Sequence, residues 1–394
     1  MPLPTRTDSS QHRVRQQNLE QVADLVRTRA GCSRGEIGAA LGLNKGTVSS
    51  LVGELISRGL LQNAGQSAPS GPGRPRMYVR PDTTEHVSLV VEILTDRVRL
   101  SSWTLAATPV DQRTIAVAPM ADGARLTLRR TADAVERWVR RTRAADKKVT
   151  GIAVSVPGLV NTRTGTVVQS TPLRWEDVDL AAALRRRSQL ADLPILVDRV
   201  ANLAAVAEWR QQPDLLDFVC LHGGETGLGV GVVTGGRLLT GANGRAGGLL
   251  FADNVRSSRS RLVSPPPDYL GFVELLDLVR DSGSTFTDEA EALAGRLLQG
   301  DQQVLDTLDR FGDRLSARLL SLLELFDPSE VVFAGPLQPL AEHLIPRLRT
   351  ALDASPIPIE ATLTAGRSGP EASLIGGAIL LADRAFALTE GAAA

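Results

Sequence analysis

Residues 33–60, SRGEIGAALGLNKGTVSSLVGELISRGL, constrain the fold of this chain more than any other stretch. Two short amphipathic segments meet at Gly42, and each begins on a residue able to cap a helix. Ser33 and Glu36 have the spacing of a capping box, in which each side chain satisfies a free amide at the start of a helix carrying Ile37, Ala40 and Leu41 inward. Asn44 can cap the second helix, whose Val48, Leu51, Val52, Leu55 and Ile56 share one face at helical spacing. The opposite face, Lys45, Thr47, Ser49, Ser50 and Gly53, is small or cationic. It crowds the N-terminal end, where free amides and the helix dipole favour a phosphate. This is the pattern of a DNA-reading helix. The expected contacts are Ser33, Arg34, Asn44, Lys45, Thr47, Ser49 and Ser50, with Lys45 near phosphate and Thr47, Ser49 and Ser50 near base edges. An ordinary helical hairpin with a polar outer face would share the caps and the amphipathicity.

The flanking sequence favours the first reading. Gly59-Leu60-Leu61 and a Gly/Ser/Pro tract lead to Gly71-Pro72-Gly73-Arg74-Pro75-Arg76, and then to the apolar Met77-Tyr78-Val79. That is the layout of a winged helix-turn-helix, whose hairpin tip would carry Arg74 and Arg76 into a narrow minor groove. A helix around Val14 to Thr28, with Leu19, Val22 and Val26 on one stripe, completes a three-helix core. The whole chain is neutral, with 44 basic and 44 acidic residues, but residues 1–80 hold 11 basic against 5 acidic, leaving 33 against 39 for the rest. A basic head on an acidic body fits phosphate contact at one end.

With 394 residues and 43% hydrophobic content the chain can form more than one core. The expected division is a DNA-binding head with linker at 1–80 and two lobes at 81–200 and 201–394, the final helix returning to the first lobe. No stretch approaches the roughly 20 apolar residues of a membrane helix, and the polar start has no signal-peptide core. Cys32 and Cys220 are far apart, as free thiols of a reducing, cytoplasmic protein would be. His12, His86, His222 and His343 are scattered, so no metal site is expected.

After Pro81 the pattern becomes strand-like, with Val87, Leu89, Val91 and Ile93 alternating, followed by Val98, Leu100 and Trp103. A helix from about Leu126 to Ala145 buries Leu128, Ala132, Val135 and Val139. It exposes Arg129, Arg130, Arg137, Arg140, Arg141 and Arg143, either as a solvated face or as a second DNA surface. Strands at 151–156 and 193–197, the latter leading into a helix from Asn202 to Arg210, argue for α/β layers.

Three segments then carry a family resemblance. SVPGLVNTRTGTVVQSTPLRWEDVDLAAAL resembles the sheet and loop near the sugar site of the ROK family of repressors, open reading frames and kinases. ETGLGVGVVTGGRLLTGANGRAGG, residues 225–248, resembles that family's second phosphate loop, and FDPSEVVFAG, residues 326–335, its late strand beside the nucleotide. The resemblance implies an α/β fold: an N-terminal winged helix-turn-helix followed by an actin/hexokinase-like two-lobed ATPase-type body.

The departures bear on mechanism. Family kinases end a strand in an acidic residue, Asn and Asp, then Ala-Asn, and that Asp is the general base; here the stretch reads Asp198-Arg199-Val200-Ala201-Asn202. Valine cannot accept a proton. Where the family's first phosphate loop has Asp, glycines and Thr, this chain has Glu92-Ile93-Leu94-Thr95-Asp96. The family's zinc-binding His and Cys are replaced across Gly247-Gly248-Leu249-Leu250-Phe251 and the loop to Leu270, and of the sugar-gripping acids Glu274 remains. The resemblance therefore implies a regulator, most simply a repressor, that binds double-stranded DNA as a homodimer or higher oligomer and has no catalytic residue, metal or cofactor. Arg199, Asn202, Thr226, Gly227 and Glu274 are the ligand-site candidates for a sugar, sugar phosphate or sugar acid. Two alternatives stay open: a sugar kinase with an appended DNA-binding head, and a ligand-independent scaffold in which Val200 and Phe251 fill the old pocket.

Overall fold

The computed structural model describes residues 6–29, 31–66, 77–224, 227–247, 272–279, 286–356 and 358–387. Arg74, Arg76, Thr226, Gly248 and Phe251 lie outside the described residues.

The head consists of α1 (Arg6–Thr28), β1 (Cys32–Ser33), α2 (Arg34–Leu41), α3 (Lys45–Ser57), β2 (Leu61–Gln66) and β3 (Met77–Pro81). The capping box is formed: the Ser33 hydroxyl accepts from the Glu36 amide at 3.2 Å, and the Glu36 carboxylate accepts from the Ser33 amide at 2.8 Å. Gly42 ends α2 in the left-handed region at φ 66°, a conformation that suits a residue without Cβ, and returns its N–H to the Gly38 carbonyl. Leu19, Val22, Val26, Ile37, Val48, Leu51, Val52 and Leu55 close the head's core. Ala40, expected inside, is exposed, and Leu41 is only half-buried. Helix α2 has two turns, and of its side chains only Ile37 is buried. Strands β1, β3 and β2 form a small antiparallel sheet in that order.

The first lobe contains β4 (His86–Ile93), β5 (Val98–Trp103), β6 (Pro109–Ile115), α4 (Pro119–Ala144, interrupted at Gly123), β7 (Lys148–Val156), β8 (Leu159–Asn161), β9 (Thr166–Ser170), β10 (Trp175–Asp179), α5 (Leu180–Arg185) and β11 (Ile195–Arg199). Helix α6 (Val200–Gln211) leads to the second lobe. There β12 (Phe218–Gly224), β13 (Gly227–Thr234) and β14 (Arg237–Leu238) precede α7 (Phe272–Asp277), α8 (Phe286–Leu298), α9 (Gln302–Phe326), β15 (Glu330–Ala334), α10 (Ala341–Asp353), β16 (Thr362–Ala365) and α11 (Ala372–Ala387).

The two main sheets run β6-β5-β4-β7-β11 and β14-β13-β12-β15-β16. Each is an antiparallel three-strand meander extended by two parallel strands, so one topology occurs twice. The alternating Val87, Leu89, Val91 and Ile93 form β4, and the whole strand is buried. Val87, Leu89, Val91 and Ile93 pack toward Ala132, Val135 and Val139 of α4, whereas Val90 packs toward Leu374, Ala378 and Leu381 of α11. A strand covered by helices on both sides has no polar face to show.

Helices α6 and α11 meet between the sheets. A side chain at Gly376 would collide with the Leu203 carbonyl, and Gly229 and Gly231 lie against Ala201 and Ala205. The close backbone approach requires small residues at these contacts. The last helix also anchors the head: Ala382 and Phe386, with Leu105 from the β5–β6 turn, join the head's core cluster. Around them Arg27 pairs with Asp24 and Asp383, and Arg210 reaches Asp24 at 2.9 Å and Asp383 at 3.0 Å. Burial and the neighbouring Arg210 charge push the Arg27 guanidinium down to about 10. No described helix is long and apolar enough to cross a membrane.

Candidate functional site

Two regions received the candidate residues. In the head, the Asn44 side chain accepts from the Thr47 amide at 2.9 Å and fixes the start of α3. The apolar stripe of α3 faces inward, so Asn44, Lys45, Ser49, Ser50 and Gly53 are exposed, with Thr47 half-buried beside them. Arg34 is half-buried at the start of α2. Ser33 is buried at 4% exposure with its hydroxyl engaged by Glu36, which makes it a positioning residue for α2 and not a group on the outer face. The expected face is thus brought together, apart from Ser33.

One contributor was not legible in the sequence. Arg15 of α1 reaches across to Ser50 at 3.4 Å and pairs with Glu54 at 2.5 Å, adding a half-exposed cation at the rim of the α3 face. It lies 35 residues from Ser50, a separation that only the crossing of α1 and α3 removes. An open groove of about 420 Å³ runs beside α2, lined by Ser33, Arg34, Gly35, Glu36, Ala39 and Met77.

The second region is the junction of β11 and α6. Asp198 and Arg199 end β11, and Asn202 is buried in the first turn of α6. The Asp198 carboxylate accepts from the Arg199 amide and from Asn202 Nδ2, each at 2.7 Å. Arg199 Nη2 donates to Asn202 Oδ1 at 2.6 Å and to the Ala246 carbonyl. At 6% exposure Arg199 does not project into open solvent. It crosses from the end of the first sheet to the segment after β14, while Arg163 makes a similar crossing to the Ala242 carbonyl at 3.1 Å. Val200, at the position of the kinase base, is half-buried on α6. Gly227 begins β13 opposite Gly224, and Glu274 pairs with Arg314 of α9 at 3.6 Å, so neither is bonded to this cluster.

The turn matching the first phosphate loop is closed by a bond from the Leu94 amide to the Arg97 carbonyl. Behind it Glu92, 5% exposed, is gripped by Arg99 Nε at 2.7 Å and by the Ser373 hydroxyl at 2.8 Å. Arg99 thus supplies the counter-charge to Glu92, the carboxylate that the family resemblance aligns with the phosphate-loop acid. His222, at the end of β12, is buried against Gly335, and desolvation pushes it down to about 4. Among the described residues no group of His, Cys, Asp and Glu is arranged to hold a metal.

Burial pushes the Asp198 carboxyl up to about 6, against the hydrogen bonds from Arg199 and Asn202 and the Arg199 charge. A carboxyl raised from 3.8 in the unfolded chain favours the fold in its protonated form. Its contribution is full below pH 3.8 and lost as pH climbs through 6. Asp198→Asn is therefore expected to stabilise the protein by up to about 3 kcal/mol above pH 6, by about half of that at pH 5, and not at all below pH 4. Denaturant titrations at pH 5 and pH 8 check this; an equal effect at both values would refute it.

With this geometry in view, residues 119–249 match the ROK family. That segment, about a third of the chain, is similar to ROK proteins. It is 24% identical over 341 residues to the xylose repressor of Caldicellulosiruptor bescii, covering 82% of this chain and 83% of that protein. It is 30% identical over 203 residues to the beta-glucoside kinase of Listeria monocytogenes, covering 49% of this chain and 66% of that protein. Among solved structures, a ROK family transcriptional regulator described as a homologue of the E. coli MLC protein superposes with a TM-score of 0.69 at 19% identity, covering 95% of this chain and 98% of the other. A ROK family glucokinase from Streptomyces griseus superposes at 0.53 and 22% identity, covering 75% of this chain and 98% of the other. The actin/hexokinase-like body is shared by both. The family resemblance holds, and two of the three segments that carried it, residues 155–184 and 225–248, fall within the matched stretch.

Proposed function

We propose that this protein is a sequence-specific transcriptional repressor, in which residues 1–80 form a winged helix-turn-helix that reads a two-fold operator and the lobes 81–200 and 201–394 hold two copies together. The observation that carries this reading is the capped α2–α3 unit, whose α3 leaves Lys45, Ser49 and Ser50 exposed, with Thr47 half-buried beside them, opposite its packed face. The similarity to xylose repressors along most of both chains supports it. Kinase relatives share the body, but Val200 offers no base, and Glu92 is held by Arg99 and Ser373 where the phosphate loop would need room. The body is a binding and assembly unit in this reading, without phosphoryl transfer.

The self-bonded Arg199 favours a cleft already filled by protein groups. One observation favours an effector: Arg199 Nε is buried with no hydrogen-bond partner among the described residues. A sugar phosphate or sugar acid would supply that acceptor. Stabilisation of wild type, and not of Arg199→Ala, in a thermal-shift series of such compounds decides between the two.

Selection of random duplexes by the purified full chain tests the main proposal. A two-fold sequence with half-sites about one helical turn, or a multiple of it, apart is expected. Failure to enrich any sequence, together with sugar-dependent ATP turnover that disappears in Asp198→Ala, would replace the repressor by a kinase.

A further inference from the structure

The C-terminal end of helix α4 carries a cluster of cations, several of which the fold leaves without an acidic partner among the described residues. Residues 137–148 hold six basic residues and a single acidic one, on a body that is acidic as a whole. Arg137, Arg140, Arg141 and Arg143 are exposed on the last two turns of α4. The end of helix α5 and the turn after it pack alongside, tied by Arg187 to Asp133 at 2.5 Å and by Gln189 to Arg143 at 2.9 Å, and add the exposed Arg185 and Arg186. No carboxylate pairs with Arg137, Arg140, Arg185 or Arg186 among the described residues. Unpaired like charges along one helix end repel one another, a cost that a polyanion bound there would relieve.

The topology sets this cluster beside the head. Strand β4 starts at the head, where His86 Nδ1 meets the Gly59 carbonyl at 3.0 Å just beyond the end of α3. Helix α4 starts at the far end of the sheet, its Met120 amide on the Thr95 carbonyl, and runs back. It finishes where β7 begins, with Lys148 paired to His86 and bonded to Glu85. Arg137 to Ala144 therefore lie within about 10 Å, along the helix axis, of the junction with the head. An arginine cluster of this kind matches closely spaced phosphates, whose bound counterions it would release.

We propose that this end of α4, with the tail of α5, is a second nucleic-acid surface, which holds the phosphate backbone flanking the site read by the head. The proposal rests on the DNA-binding reading of the head. It adds affinity without sequence preference, because guanidinium contacts to phosphate carry no base information.

The test compares the full chain with a variant carrying Arg137→Gln, Arg140→Gln, Arg185→Gln and Arg186→Gln. These four exposed side chains support no packing, so the variant should fold as wild type does. Each protein is titrated with the selected operator as a bare site and with about 15 base pairs added on both sides, roughly one and a half turns of duplex. Wild type should bind the long duplex at least 10-fold more tightly than the bare site, and the variant should lose that gain while keeping bare-site affinity within 2-fold. The slope of log affinity against log salt on the long duplex should fall by about 0.9 for each phosphate that the variant no longer neutralises, roughly 2 to 4 in all. Equal flank gain and equal slope in the two proteins would overturn the proposal and leave the head's role intact. Wild type that fails to bind the bare site overturns both. Flank-independent binding together with variant-sensitive capture on phosphatidylserine vesicles would also overturn it, by assigning the patch to a membrane.

Discussion

Simultaneous replacement of Lys45, Ser49 and Arg74 by alanine is expected to reduce operator affinity by about 100-fold or more, because each base or phosphate contact contributes roughly 1 to 3 kcal/mol. The three changes act differently. Lys45→Ala alone should weaken binding to all duplexes and lower the salt dependence, since Lys45 stands exposed in the first turn of α3, where phosphate approaches. Ser49→Ala should alter which bases are preferred. Arg74→Ala should weaken sites with A·T-rich flanks most, a narrow minor groove being the strongest attractor of arginine. Lys45 and Ser49 are exposed and lie outside the head's core, so Lys45→Ala and Ser49→Ala should each leave the melting temperature within a degree or two. Wild-type affinity in the triple variant, measured by fluorescence anisotropy on the selected operator, would remove α3 as the reading helix.

The second large effect is expected at the junction between head and body. Asp383 pairs with both Arg27 and Arg210, and those two guanidiniums are only 10% and 17% exposed. Asp383→Ala leaves two buried like charges facing each other with Asp24 as their remaining counterion. Removing one partner of such a group costs more than the pair contributes, by a few kcal/mol in buried sites. Asp24 is well exposed and solvent softens the repulsion, so about 1.5 to 3 kcal/mol is expected here. The loss should appear locally: amide exchange across Leu19–Val26 of α1 should rise about 10- to 100-fold while the central strands β4 and β12 keep their protection. Unchanged exchange in α1 would show that the apolar packing of Leu105, Ala382 and Phe386 holds the head without the ions. The position of Arg210 gives this junction a functional reading. It sits in the last turn of α6, the helix that begins beside Asp198 and Arg199, so a single helix runs from that cluster to the junction with the head.

Much of this is legible in the sequence. Ser33, Glu36, Gly42 and Asn44 fix the ends of α2 and α3 through bonds spanning three or four residues, and local bonds of that kind depend on sequence spacing alone. The stripe from Val48 to Leu55 likewise gives the buried side of α3, and hence its outer face. The departures at Asp198-Arg199-Val200 and at Glu92-Ile93-Leu94 were visible as residue types, because a missing base or glycine needs no geometry to be noticed.

Other features depended on distance in space. The duplicated sheet topology leaves no sequence repeat, since buried strands require only apolar residues and the two copies fill their cores differently. The two-sided burial of β4 follows from α11, the last helix described, closing over the face that α4 leaves open. Arg15 joins the α3 face, Glu92 accepts a hydrogen bond from Ser373 of the last helix, and Arg199 is tied to Ala246 instead of standing in an open cleft. These are pairings between segments whose separation the chain order does not encode. The sequence by itself determined the local elements and the chemistry missing from the kinase positions, because both are properties of neighbouring residues. Only the tertiary structure decided which charges are satisfied and which, as on α4 and α5, remain free to meet a partner, because neutralisation depends on what the fold brings within a few ångströms.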